Sequence, residues 1–139
     1  MAPLTNHAAG TMYFIGVEGG GTSSNAVLLD EKGQLIATSK GDTTNMWNIG
    51  IDKTCDNIIA MVRDIRQNAK LDESVKITGL GLCLAGADDV KMNNELVEAL
   101  RTRYGDPAAE YVIENDTIGS MATALPDLAG IVIIAGKKV

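Results

Sequence analysis

The order of apolar runs predicts an α/β protein built on a mixed sheet, and two observations carry that reading. Three short apolar stretches follow one another with only tight turn signals between them. After them, apolar stretches alternate with segments of helical period. A meander followed by crossover units gives antiparallel strands on one side of the sheet, parallel strands on the other, and helices on its faces.

The first strand is Tyr13 to Val17, and the second, Ala26 to Leu29, follows the turn Glu18-Gly19-Gly20-Gly21-Thr22. Asp30-Glu31-Lys32-Gly33 then reverses the chain into a third strand, Gln34 to Ser39. The polar stretch Thr43 to Asn48 leads to Cys55, Ile58, Ile59, Val62, Ile65 and Ala69, spaced by threes and fours. That spacing predicts an amphipathic helix of about five turns. Lys76 to Leu84 reads as a fourth strand whose glycines let another backbone come close. A second helix carries Met92, Leu96, Val97 and Leu100 on one face, with Asp88 and Asp89 at its start and Tyr104-Gly105-Asp106-Pro107 as its stop. Ala109 to Glu114 is a fifth strand, Thr117 to Leu125 a short helix of small residues, and Gly130 to Ala135 a sixth, fully apolar strand.

Ligands of such sheets bind beyond the carboxyl ends of the parallel strands. Three polar turns fall on that rim: Glu18 to Thr22, Ala85 to Asp89, and Asn115 to Ser120.

Composition narrows the chemistry. A chain of 139 residues with 45% hydrophobic residues is the size of one domain with a real core. Its net charge of −6 and scattered Lys and Arg exclude a phosphate-tracking surface, so no nucleic-acid partner and no electrostatic membrane binding are expected. No apolar run approaches the roughly 18 residues that span a bilayer, and the first basic residue is Lys32, so the chain reads as cytoplasmic. Cys55 and Cys83 lie in apolar surroundings and read as two reduced, buried thiols; the six methionines read as core filling. The single histidine, His7, falls in residues 1–11, read as a flexible N-terminal extension. Catalysis must then rest on carboxylates, hydroxyls, backbone amides or a ligand-held metal.

Each candidate site residue has a plainer explanation beside it. The glycine turn fits neither a dinucleotide nor a Walker loop, because the third glycine is missing and a strand follows. It is either an ordinary hairpin turn or a cradle in which backbone N–H groups and the Thr22 hydroxyl face phosphate oxygens, with Glu18 holding a hydrated magnesium beside it. Asp116 is either a carboxylate projecting into a rim cleft, able to take a proton from a substrate hydroxyl, or the N-cap of the following helix. The stretch around Trp47 either receives a polyhydroxylated ligand or packs the tryptophan on the core at a helix entrance.

The order of strands resembles the N-terminal lobe of the sugar kinase, heat-shock protein and actin superfamily of ATPases, which has a ribonuclease-H-like core. Within it, GVEGGGT (Gly16 to Thr22), TTNMWNIG (Thr43 to Gly50), GLGLCLAGAD (Gly79 to Asp88) and NDTIGSMATALPD (Asn115 to Asp127) resemble the N-acetylglucosamine kinase family. The resemblance runs from about Met12 to Gly136 and implies an ATP- and Mg2+-dependent transfer to the 6-hydroxyl of an amino sugar. It assigns Gly19, Gly20, Gly21 and Thr22 to ATP and Glu18 to magnesium. Asn45 and Trp47 fall to the sugar, and Asp116 to sugar binding and general-base catalysis.

Family members continue past the strand matching Gly130 to Gly136 into a second phosphate turn and a C-terminal lobe. The resemblance therefore implies that residues 12–139 are one lobe of two, truncated before that turn. Such a lobe by itself is expected to be inactive or nearly so and to bind ATP weakly. Its exposed apolar face implies homodimerisation or association with a full-length kinase. The same residues leave room for a non-catalytic interaction module, a kinase for another sugar, or an activator-type ATPase whose subunits share a cysteine-held iron–sulfur cluster.

Overall fold

The computed structural model describes residues 10–119. Seven elements follow in the order β1 (Tyr13–Gly19), β2 (Ser23–Asp30), β3 (Leu35–Asp42), α1 (Met46–Asn68), β4 (Gly79–Leu84), α2 (Val90–Arg103) and β5 (Glu110–Asn115). The sheet order is β3-β2-β1-β4-β5. β2 runs antiparallel to both β1 and β3, while β1, β4 and β5 run parallel. This is the mixed sheet expected from the order of runs. The sixth strand, and all but the start of the small-residue helix, lie outside the described residues.

Alternation in β1 fixes the two faces. Tyr13, Ile15, Val17 and Gly19 are buried, whereas Phe14, Gly16 and Glu18 point to the opposite side. Ala26 and Leu28 of β2 and Leu80, Leu82 and Leu84 of β4 continue the buried face, against Cys55, Ile58, Met61 and Ile65 of α1 and Leu96 and Leu100 of α2. Fully burying each such aliphatic side chain stabilises the fold by about 1.5–3 kcal/mol before entropy is counted. The other face carries the exposed Phe14 and Val112 with the glycines of β1 and β4 between them.

Element boundaries depart from the sequence reading where polar or small residues do structural work. β3 runs on to Asp42 because Ser39 turns inward and donates from Oγ to Asp64 Oδ2 at 2.7 Å, and Gly41 lies under Met61 with no room for a Cβ. α1 begins at Met46, nine residues before Cys55, and kinks at Gly50, whose φ of 80° lies in the left-handed region. Regular β4 starts at Gly79, three residues later than expected. Even so, Thr78 N–H donates to Tyr13 O at 2.8 Å and Ile77 O accepts from Ala109 N–H at 2.9 Å. Asp89 caps α2 by accepting from Met92 N–H at 3.0 Å, and Arg101 and Arg103 occupy its last turn, where cations are favoured.

Two groups, Cys55 on α1 and Tyr111 on β5, resist ionisation. Burial pushes the Cys55 thiol up to about 11 from an ordinary 9.0, the Arg103 guanidinium opposing and Asp52 and Asp56 adding to it. Burial, with the hydrogen bond to Asp106, likewise raises the Tyr111 hydroxyl to about 12.

Two predictions follow from this core. Leu82→Ala, at a site with no exposure, is expected to cost about 2–5 kcal/mol in urea unfolding; a loss below about 1 kcal/mol would contradict the packing described. Because Cys55 is held neutral in the fold, its contribution is fully present below pH 9 and lost as pH rises through about 11. Unfolding midpoints measured between pH 8 and 11 should therefore fall less steeply in Cys55→Ala than in the parent.

Candidate active-site rim

The β1–β2 turn is closed by Gly20 N–H donating to Ser23 O at 2.9 Å. That donor is spent inside the turn. Among the described residues, the amides of Gly21 and Thr22 and the Thr22 hydroxyl have no partner. The glycines also differ in why they are glycine. The space a Gly19 side chain would take is filled by Thr44 Oγ1 and Leu84 Cδ2, and a Cβ on Gly20 would press on Ser23 O at 3.1 Å. A Cβ on Gly21 would have no described residue within 4 Å, and its φ is not left-handed, so packing among the described residues does not demand glycine there.

The loop after β3 is bound to this turn. Thr43 Oγ1 donates to Gly20 O at 3.1 Å and accepts from Asn45 N–H at 3.2 Å, while Asn57 Nδ2 holds Thr43 O at 2.8 Å. Beneath it, the buried Thr44 and Ser24 hydroxyls pair at 2.9 Å. Asn45 caps α1, its Oδ1 accepting from Trp47 N–H at 3.1 Å. Trp47 is 61% exposed, and its indole Nε1 donates to Gly86 O at 2.8 Å. The core-packed alternative for Trp47 is therefore overturned: its ring lies at the rim, over the β4–α2 loop.

That loop is the junction of the rim. Ala85 N–H donates to Gly19 O at 2.7 Å, tying it to the end of β1. Gly86 has φ +84°, and a Cβ there would meet Trp47 Cδ1 at 2.7 Å and Asn45 Oδ1 at 2.8 Å. On its far side, Asp88 Oδ1 accepts from Asn115 Nδ2 at 2.6 Å. Asn115 Oδ1 in turn accepts from the amide and the hydroxyl of Thr117, at 2.8 and 2.7 Å. Asn115 is the cap of the helix that begins at 116–119, so the N-cap alternative for Asp116 is also overturned.

Glu18 sits apart from the turn's tip, on the open face of the sheet. Register places Lys40, Asn25, Glu18, Cys83 and Glu114 in one row across the five strands. A cleft of about 500 Å³ opens above it, lined among the described residues by Gly16, Glu18, Asn25, Gly81, Cys83 and Gly119. Gly119 crosses so close to Cys83 that a Cβ there would lie 2.7 Å from Cys83 Cβ. Burial raises the Cys83 thiol above its ordinary value, with the charges of Glu114, Glu18 and Asp116 acting in the same direction. Both cysteines are free thiols, Cys83 half-buried on the open face and Cys55 buried on the other. Among the described residues no three His, Cys, Asp or Glu converge closely enough to hold a metal by themselves. A magnesium that keeps its waters and a ligand's phosphates needs only one or two carboxylates, and Glu18 meets that requirement.

The sequence-predicted residues thus divide. The turn, Asn45 and Trp47 are bonded into one rim, and Asp116 joins it through its neighbour Asn115; Glu18 belongs to the adjoining open-face cleft. Thr43, Thr44, Ser24, Gly86, Asp88 and Asn115 escaped the sequence reading as individual site residues. Gly86, Asp88 and Asn115 were signalled only by position in the rim turns, Thr43 and Thr44 only by the polar stretch before α1, and Ser24, inside β2, carried no signal.

A ribonuclease-H-like mixed sheet with a glycine turn after β1 and polar loops on the carboxyl rim defines one lobe of the sugar kinase and actin type of ATPase. The chain belongs to the BadF/BadG/BcrA/BcrD ATPase family, whose sequence profile matches residues 15–139. It is 31% identical over 130 residues to the N-acetyl-D-glucosamine kinase of Dictyostelium discoideum, covering 88% of this chain and 40% of that protein. It is 23% identical over 125 residues to the glucosamine kinase GspK of Vibrio cholerae, covering 89% of this chain and 40% of that one. A solved structure from Chromobacterium violaceum, provisionally assigned as an N-acetylglucosamine kinase, superposes with a TM-score of 0.65 at 22% identity over 81% of this chain and 38% of its own. The chain thus spans about 40% of the length of the curated relatives it matches.

The two ends of the glycine turn should respond differently to the same change. Gly19→Ala is expected to lower the thermal midpoint by several degrees, since the added methyl displaces Thr44 and breaks its pair with Ser24. Gly21→Ala should keep stability within about 1 kcal/mol of the parent, and equal losses at both positions would refute this division.

Proposed function

We propose that residues 12–139 form the N-terminal lobe of an ATP-dependent amino-sugar kinase that phosphorylates the 6-hydroxyl of N-acetyl-D-glucosamine in amino-sugar salvage, in the cytoplasm. The observation that carries this reading is the bonded rim: the glycine turn, the Asn45–Trp47 entrance of α1 and the Asn115–Asp116 strand end are held together by the Thr43, Gly86 and Asp88 contacts. Family membership supplies the ATPase chemistry, and the names of the two curated relatives point to amino sugars.

In this reading the turn Gly19–Thr22 receives the nucleotide phosphates, with the Gly21 and Thr22 amides and the Thr22 hydroxyl as donors. Asn45 and Trp47 shape the sugar side. Asp116 takes the proton from the 6-hydroxyl as that oxygen bonds to the γ-phosphorus and the bond to the β-phosphate oxygen breaks, releasing ADP. The rim segments 18–22, 43–48, 85–89 and 114–118 contain the carboxylates Glu18, Asp88, Asp89, Glu114 and Asp116 and no Lys or Arg. Bare ATP would be repelled by such a rim, which supports arrival of ATP as its magnesium complex, with Glu18 as the nearest candidate to meet the hydrated ion. Magnesium, when bound, neutralises charge building on the transferring phosphoryl group.

Phosphoryl transfer depends on holding both substrates in line and on excluding water, and one lobe supplies one wall of such a site. One such lobe by itself is therefore expected to turn over far more slowly than a two-lobed kinase. The activator-type alternative gains no support from the cysteines, which lie on opposite sides of the sheet. A pairing module has one observation in its favour, the exposed Leu35 and Ile36 on the edge strand β3, which suit a homodimer or association with a longer kinase.

The test is an ADP-release assay with a panel of amino sugars, run on a catalytically active protein carrying this sequence and on its Asp116→Asn form. Turnover should fall about 10²–10⁴-fold with the fold retained. Near-unchanged turnover would remove the base assignment, and transfer to none of the sugars would remove the kinase reading.

A further inference from the structure

We propose that Thr43 is a positioning residue that couples the two halves of the site, so that occupancy of the sugar side strengthens nucleotide binding; this rests on the kinase reading above. Among the described residues its hydroxyl bonds to both halves: it donates to the carbonyl of Gly20 in the glycine turn and accepts the amide of Asn45 at the α1 entrance. A single hydroxyl in this double role transmits geometry in both directions. If Asn45 shifts towards a sugar, its amide pulls on Oγ1, and the donor bond carries that displacement to Gly20, next to the Gly21 and Thr22 amides.

The surroundings make Thr43 a lever with a fixed pivot. Its carbonyl is held by Asn57, a nearly buried residue in the body of α1 beyond the Gly50 kink. The next residue, Thr44, is anchored by its buried pair with Ser24 and fills the space that glycine leaves at position 19. The entrance turn 46–49, by contrast, is separated from the rest of α1 by the left-handed Gly50, which has open space around it. The segment with Asn45 and Trp47 is thus set off from the body of α1 by a break in helical phase, with Met46 anchored in the core, and its link to the glycine turn runs through Thr43. Coupling between two sites requires such a contiguous set of contacts between them.

The experiment is initial-rate kinetics on a catalytically active protein carrying this sequence, with magnesium ATP and N-acetylglucosamine both varied. In the parent, saturating sugar should lower the apparent dissociation constant for ATP by about fivefold or more. In Thr43→Val, which keeps the shape and removes both bonds, that ratio should fall to within about twofold of one, and the KM values for both substrates should rise proportionally more than kcat falls. Thr43→Ser, which keeps the hydroxyl, should restore the ratio. Thr43→Ala serves where the valine form does not fold. A mainly structural role would lower stability and kcat while leaving the ratio intact, and that outcome overturns the proposal, as does a parent ratio near one. If the parent phosphorylates no amino sugar, the kinase reading fails and this inference with it; if the parent is active and the ratio survives in Thr43→Val, only this inference fails.

Discussion

β1 pairs antiparallel with β2 on one side and parallel with β4 on the other, and the candidate site depends on that double pairing. The antiparallel side brings the hairpin turn to the carboxyl end of β1, and the meander returns through β3 so that its last residue, Asp42, arrives opposite Ser23 at the same end. The parallel side delivers the carboxyl ends of β4 and β5 to that edge as well. Four chain segments distant in sequence therefore meet on one rim without any of them needing to be long. Side-chain bonds then fix their relative positions to within hydrogen-bond tolerance.

The sheet's two faces divide the labour. One face spends its alternating positions on Ile15, Val17, Leu28, Leu80 and Leu82, which with the two helices supply the hydrophobic stabilisation. The other is thin in side chains along β4, where the Phe14 ring lies against Gly79 and Gly81 leaves an open trough beside Gly16. Glu18 and Glu114 flank Cys83 in that trough, a concentration of negative charge that the stability of the fold does not require. Among the described residues the buried polar side chains are hydroxyls and one amide with partners, Ser24, Ser39, Thr44, Thr54 and Asn57, while the Asn93 Oδ1 atom is buried without one.

Much of this was legible in the sequence because hydrophobic period is a strong signal. The meander, the two long helices and the parallel strands announced themselves by alternation or by spacing of threes and fours. Boundaries failed where the pattern carried no apolar residue. Ser39 and Gly41 look like loop residues, yet the first is paid into the core by a hydrogen bond to Asp64 and the second by the sulfur of Met61. The first turn of α1 was invisible because Gly50 breaks the helical phase, so residues 46–49 present a different face from the helix they lead into. The cap at the end of β5 shows what local sequence withholds. Asn115 and Asp116 are both good N-caps, but only an amide can donate to the Asp88 carboxylate while accepting from Thr117; a carboxylate in the same place would face Asp88 as a like charge.

The glycines make the same point about function. A glycine-rich turn in sequence is ambiguous because glycine serves three needs: a left-handed backbone, room for a neighbour, or room for a ligand. The structure separates them at the rim. Gly86 has both a left-handed φ and the side chains of Trp47 and Asn45 against it, and Gly19 has Thr44 and Leu84, so the fold alone accounts for these two. Gly21 has neither need among the described residues, since its φ is not left-handed and none of them lies within 4 Å of a Cβ placed there. A residue that loses conformational entropy on folding and gains no packing from the described residues is a cost to stability, and its use at the tip of a turn beside unpartnered amides agrees with the proposal that a ligand approaches the backbone there. The strength of the phosphate-turn reading therefore lies in this one glycine more than in the count of three.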